Sequence, residues 1–190
     1  MHKIVVIITF IFFQSYIGIA CAVEVPEELK LFISKGAEVL QFAISDLNGD
    51  GAKDYIVVLQ NNDENRSRTL LIVTRDKNSV LKLSKRNDDI VGCEQCGGVM
   101  GDPLQSLEIE DMKFSVSNSG GSVDRWSNLY EFRYSRRDKT WQLVRAEETT
   151  YYAPDPDKTS KTNEYRSPKD FGKIDISKFK PSKYLGVGSK

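Results

Sequence analysis

Asp46, Asn48 and Asp50 set oxygen-bearing side chains at alternate positions. Gly51 follows where the backbone must turn sharply, and Asp54 supplies a further carboxylate. Such a set suits a hard cation, because calcium takes oxygen ligands, carboxylates foremost. Three aspartates drawn together without a cation would repel one another, which favours occupancy by calcium. The competing reading is a metal-free turn in which Asp and Asn side chains bond the local backbone. The ion would be structural: it would order the loop and add stability by mass action. A catalytic ion needs an open coordination position beside reactive groups, and the sequence displays none.

Cys93 and Cys96 form a second constellation, followed by Gly97-Gly98-Val99-Met100-Gly101-Asp102-Pro103. The spacing admits half a zinc site, a redox pair or a local disulfide. Zinc lacks further ligands, and the glycines and Asp-Pro suit a loop rather than the helix start a redox pair needs. In an oxidising compartment a disulfide is the expectation. A third cluster, Ser119 to Trp126, opens a strand, and Arg125 with Trp126 could form a recognition surface, since Arg and aromatics are frequent binding hot spots. The alternative is that Trp126 and Trp141 pack as core or cross-strand aromatics. Glu147 and Glu148 are adjacent in a strand, so they point to opposite faces and make a poor catalytic pair.

These groups must be held by elements that the pattern makes legible. Residues 1–22 carry a basic start, an apolar run from Ile4 to Phe13 and small residues at Ala20 and Ala22, the signature of a cleaved secretory signal peptide. Ile19-Ala20-Cys21 vaguely resembles a lipoprotein box, so a lipid anchor through Cys21 is the alternative. The single histidine, His2, leaves with the leader, which removes histidine-based nucleophilic pairs and general bases. Residues 23–152 read as one β-rich domain. Pro26 with Glu27 and Glu28 suits the first turn of a short helix whose apolar face is Leu29, Phe32 and Ile33 and whose stop is Gly36, a cap on a sheet, and strands are expected from Glu38, at Tyr55 to Leu59, Thr69 to Thr74 and Ser79 to Lys85. Four more follow at Gln105 to Glu110, Met112 to Ser117, Trp126 to Tyr134 and Thr140 to Glu147. The fold class is mainly β: an antiparallel meander, propeller-blade-like, with one short N-terminal helix. Residues 153–190 are basic and proline-interrupted. Phe171, Ile174, Ile176, Phe179, Tyr184 and Leu185 would pin this extension across the sheet.

An EF-hand is excluded, because counting from Asp46 puts Val57, inside a strand, where that loop needs its glutamate. The pattern D-x-N-x-D-G-x-x-D between two strands instead resembles the calcium loops of FG-GAP and VCBS repeats. That resemblance implies side-chain ligands from Asp46, Asn48, Asp50 and Asp54 and the backbone carbonyl of Ala52. It covers about 20 residues and occurs once, so a multi-blade propeller is not available to this chain. Lys35 to Leu40 and Lys169 to Ile174 are similar to segments of small exported bacterial proteins with a single such loop. The formal net charge of zero argues against nucleic acid as a partner. The expected function is a periplasmic or secreted, calcium-stabilised binding protein with a protein partner, such as an inhibitor or immunity protein. No transmembrane segment is expected after cleavage. The alternative is a calcium-dependent hydrolase of cell-wall or surface polymers.

Overall fold

The computed structural model describes residues 24–184. The expected signal peptide, Cys21, the Tyr184 side chain and Leu185 lie outside what it describes. The strands form two antiparallel meanders in chain order. The first sheet holds β1 (Glu38–Ser45), β2 (Asp54–Gln60), β3 (Arg68–Arg75) and β4 (Leu81–Asn87). The second holds β5 (Leu104–Glu110), β6 (Lys113–Gly121), β7 (Asp124–Ser135), β8 (Thr140–Tyr152) and β9 (Lys161–Arg166). The mainly β, antiparallel expectation therefore holds, with the meander divided in two. Gly92, Gly97, Gly98, Gly101 and Pro103 lie in the 88–103 connection, and such residues weaken strand pairing at the point of division.

Packing follows from where the apolar side chains alternate. Every residue of β2 is buried, because both faces of the first sheet are covered. On the outer face, the Glu27–Phe32 segment lays Leu29 against Tyr55, Val57, Leu59, Leu71 and Val73. This expected helix is a 3₁₀ helix of six residues. On the inner face, Ile56, Val58, Leu70 and Ile72 meet Phe114, Val116, Tyr130, Phe132 and Leu143 of the second sheet. Each such side chain contributes about 1.5–3 kcal/mol on burial.

The C-terminal segment enters that same core, which is a deeper engagement than lying across a sheet. Ile176 and Phe179 are fully buried, and the Phe179 ring meets Tyr130 and Phe132 edge-on at 5.0 and 5.5 Å. Asn87 donates to the carbonyls of Ile176 and Phe179, and the Leu143 amide donates to the Ile174 carbonyl at 2.9 Å. β9, unmarked by any apolar alternation, is an edge strand of charged and polar residues, the composition that keeps an edge from pairing with other chains. β6 and β8 also run beyond their expected ends, to Gly121 and Tyr152. The extra residues of β6 are polar or glycine, and pairing with β7 fills their backbone valences, whereas those of β8 include Thr149, Thr150, Tyr151 and Tyr152, which favour strands.

Candidate functional site

The 46–54 loop joins β1 to β2. Gly49 and Gly51 take φ of 75° and 88°, and that left-handed backbone turns the flanking side chains back onto the loop's own amides. The Asp46 carboxylate accepts from the N–H of Gly49 at 2.7 Å, Asp50 at 3.1 Å and Gly51 at 2.9 Å. Asn48 Oδ1 accepts from the Asp50 amide at 2.9 Å, and Asp50 Oδ1 accepts from the Ala52 amide at 2.9 Å. Asp54 stands apart. It is 0% exposed, with one oxygen accepting from the Leu47 amide at 3.0 Å and the other from the Arg75 amide at 2.9 Å. Burial pushes its carboxyl up, the two amides pull it down, and the charges of Asp50 and Asp46 push it up again.

The donor chemistry fits calcium at Asp46, Asn48 and Asp50, whose oxygens share one loop and keep spare lone pairs. Asp54 is a clasp tying the loop to β3, and its buried charge has no ion pair among the described residues. Among those residues, no three His, Cys, Asp or Glu side chains are gathered into a cage. A bound cation would supply the positive charge that the clasp lacks.

The loop is also the seam between the sheets. The Asp46 carbonyl accepts from the Met112 amide at 2.9 Å, and the Leu47 carbonyl accepts from the Trp141 indole N–H at 3.0 Å. Ser45 Oγ donates to Asp111 at 2.7 Å, and the Leu47 side chain is fully buried in the core. Tyr134 faces the same loop: burial raises its hydroxyl, and the charges of Asp50 and Asp54 add to the effect. Trp141 is thus a core tryptophan.

At the opposite end of the second sheet, the two remaining clusters come together. Cys93 and Cys96 are in disulfide contact, their sulfurs 2.10 Å apart. The Gly101 amide closes a turn on the Gly98 carbonyl at 3.0 Å, and the Gly121 amide donates to the Gly97 carbonyl at 2.9 Å. A Cβ on Gly97 would lie 2.4 Å from the Gly101 carbonyl oxygen, and one on Gly120 would lie 2.6 Å from the Trp126 ring. Glycine is required at both by this close approach. Arg68 adds a brace the sequence reading missed. Its buried guanidinium grips Asp102 with two bonds of 2.6 Å, donates to the Gly92 carbonyl, and holds the Asp102 carboxyl below its ordinary range. An arginine at the start of an apolar strand was the available signal.

On this frame the turn presents Val99, 81% exposed, and Met100, 46% exposed, at its two central positions. Val123 and Tyr152 are also exposed, and the Ala153 amide donates to the Val123 carbonyl at 2.8 Å. Arg125 and Trp126 line an open cleft of about 380 Å3 with Asp124, Thr150, Tyr152 and Lys161. Glu147 pairs with Arg145, whereas Glu148 lies opposite Asn128 on the other face, so the two glutamates do not converge. Among the described residues, no helix is long and apolar enough to cross a membrane.

No family model matches the chain, and no curated protein matches it. Among solved structures it is similar to a Xanthomonas type IV secretion system related protein, at 16% identity and a TM-score of 0.39. The alignment covers 72% of this chain and 57% of that one, so the chain spans a little over half the length of that protein. A likeness this distant bears on no functional assignment.

Proposed function

We propose that this is an exported interaction protein that docks a protein partner in the periplasm, in the manner of an inhibitor or immunity protein acting on a toxin or lytic enzyme. The observation that carries this reading is the braced apolar turn, Val99-Met100. Turn tips favour Gly, Pro, Asn, Asp and Ser, so two exposed apolar residues there are costly in water and useful only when covered. The disulfide, the glycine bridges and the Arg68–Asp102 pair hold the tip before any encounter, which lowers the ordering cost of binding. Covering both side chains would contribute about 1.5–3 kcal/mol each. Export is supported by the leader pattern of residues 1–22 and by the cysteine pair.

Calcium belongs to this reading as a structural ion, with the 46–54 loop as a single FG-GAP- or VCBS-type loop. By bracing the seam between the sheets it would hold the second sheet, and with it the turn, in a fixed frame. Two measurements test the proposal. Affinity capture from periplasmic extract with wild-type protein should enrich a species that the V99D/M100D double variant loses; equal enrichment by both overturns the docking tip. Calorimetry at millimolar calcium should raise Tm for wild type and leave Asp50→Ala unchanged, and an unmoved wild-type Tm overturns the ion.

A further inference from the structure

Four side chains among the described residues carry sulfur: Cys93, Cys96, Met100 and Met112. The two cysteines are joined, which is already the oxidised state of a thiol pair. That leaves two thioethers, and their surroundings differ. Met112 is half-buried, and its Sδ lies against Gly49, where an added Cβ would come within 2.8 Å of it. Arg136 donates to the same sulfur at 3.5 Å. A lone pair that accepts from a guanidinium is less available to an electrophilic oxygen, and the packing obstructs its approach.

Met100 has neither protection. It sits in the turn that the Gly101 amide closes on the Gly98 carbonyl, and it is 46% exposed. Gly98 and Gly101 take φ of 67° and 75°, a left-handed backbone that brings no side chain to either flank of the pair. Neither Val99 nor Met100 belongs to a core cluster, so a change of polarity at the tip leaves the packing of both clusters as it is. The disulfide, the glycine bridges and the Arg68–Asp102 pair hold the turn, so a modified side chain stays at the surface.

We propose that Met100 is a reversible oxidation site whose sulfoxide turns off docking through the Val99-Met100 turn, an inference that rests on the docking reading above. In the step, a hydroperoxide transfers its terminal oxygen to Sδ: an S–O bond forms from a sulfur lone pair and the O–O bond breaks. The proton of the transferred hydroxyl passes to the leaving oxygen, which departs as water or an alcohol. Sulfur loses two electrons and the peroxide gains them. The flexible apolar thioether becomes polar and chiral. A partner pocket shaped for the thioether must then bury a sulfinyl oxygen, which costs free energy unless a donor meets it. Val99 has no sulfur, so Met100 alone carries the signal. Reduction by a dithiol, catalysed by methionine sulfoxide reductases, removes the oxygen as water and restores the tip.

The test treats the full chain with hydrogen peroxide, localises added oxygen by fragment-ion mass spectrometry, and follows Tm, retention on phenyl-agarose and capture from periplasmic extract. Met100 should gain one oxygen at least roughly tenfold faster than Met112. Oxidised wild type should elute earlier from phenyl-agarose, keep its Tm and lose capture at least roughly tenfold. Met100→Leu keeps an apolar tip of similar volume without an oxidisable sulfur, so peroxide should leave its retention and capture unchanged. Both epimer-specific reductases together should return oxidised wild type to its untreated retention and capture, and Met100→Leu taken through the same steps accounts for any opening of Cys93–Cys96. The proposal is overturned if Met112 oxidises as fast as Met100, if retention does not change, or if a fall in Tm accounts for the lost capture. Undiminished capture by oxidised wild type, with V99D/M100D inactive, overturns the switch alone. Equal capture by untreated wild type and V99D/M100D overturns the docking reading, and the switch falls with it.

Discussion

The two ends of the second sheet use similar raw materials, a glycine-rich loop and a few charged side chains, for opposite purposes. At the 46–54 end, polar side chains turn inward: the aspartates spend their oxygens on amides, Leu47 is buried, and the loop carbonyls accept from the other sheet. At the 93–103 end the backbone is satisfied within the loop and against β6, and the side chains turn outward, with Val99 and Met100 in water and Arg125 and Lys161 unpaired among the described residues. A loop whose side chains satisfy its own backbone is building structure. A loop whose backbone is satisfied elsewhere has side chains free for a partner.

The sharpest way to break this comparison is to weaken each end and compare stability. Asp54→Ala strands the buried Leu47 amide and the partly buried Arg75 amide without acceptors and should cost about 3 kcal/mol in urea melts. A loss under 1 kcal/mol, roughly the worth of one ordinary hydrogen bond, would remove the clasp from the account.

The same end should dominate the acid limb. Asp175 holds the C-terminal strap at the start of β8. Burial alone would raise its carboxyl, but hydrogen bonds from Ser177, Thr140 and Lys85 outweigh it and hold the value at about 2, below the ordinary 3.8. A depressed carboxylate contributes stability that is complete above its unfolded value and lost as pH falls through the folded one. About 2 kcal/mol should therefore disappear between about pH 4 and 2, and Asp175→Asn should flatten that slope. Asp54 has the opposite sign: its folded value is raised, so without a cation stability falls as pH climbs through the range just above 3.8. Calcium should shrink that fall, and urea melts from pH 2 to about 6, with and without the ion, separate the two carboxylates.

Smaller effects are expected at the other end. Replacing both cysteines by serine opens a loop of four residues and should cost about 1–2 kcal/mol. Capture of the partner should fall by more than that loss of stability explains, because the tip loses its brace. Smallest of all, V99D/M100D should lie within about 0.5 kcal/mol of wild type, since neither side chain packs in the core. Destabilisation by the tip variant comparable to that of Asp54→Ala would erase the distinction between the ends.

Much of the architecture was legible because burial imposes a period. β2 and β3 are dense in β-branched and aliphatic residues, and each of these two lies within one residue of its expected bounds. β9 was not legible, because an edge strand that turns only Tyr165 toward the core carries no apolar alternation. At the loop, residue types and spacing marked the turn, but Asp54 reads as one more ligand in the sequence and as a two-amide clasp in the fold. Its second partner, Arg75, is 21 residues away and is delivered by β2–β3 pairing. The exposed Val99-Met100 tip had a local signal, two apolar residues between Gly98 and Gly101. That signal does not state exposure, which is a property of the surroundings.

By itself the sequence determined a mainly β chain, a strand-flanked loop of Asp and Asn oxygen donors, a cysteine pair at local spacing and an aromatic-basic cluster at Arg125-Trp126. These are short-range properties, set by periodicity, turn chemistry and side-chain type. Only the tertiary structure decided that the meander divides into two sheets, that Ile176 and Phe179 complete the core, and that the disulfide loop seats on Gly120 and Gly121 beside Trp126. Those outcomes rest on strand register and on close backbone approach between segments far apart in the chain. Their energies depend on which partners meet, so no local pattern encodes them.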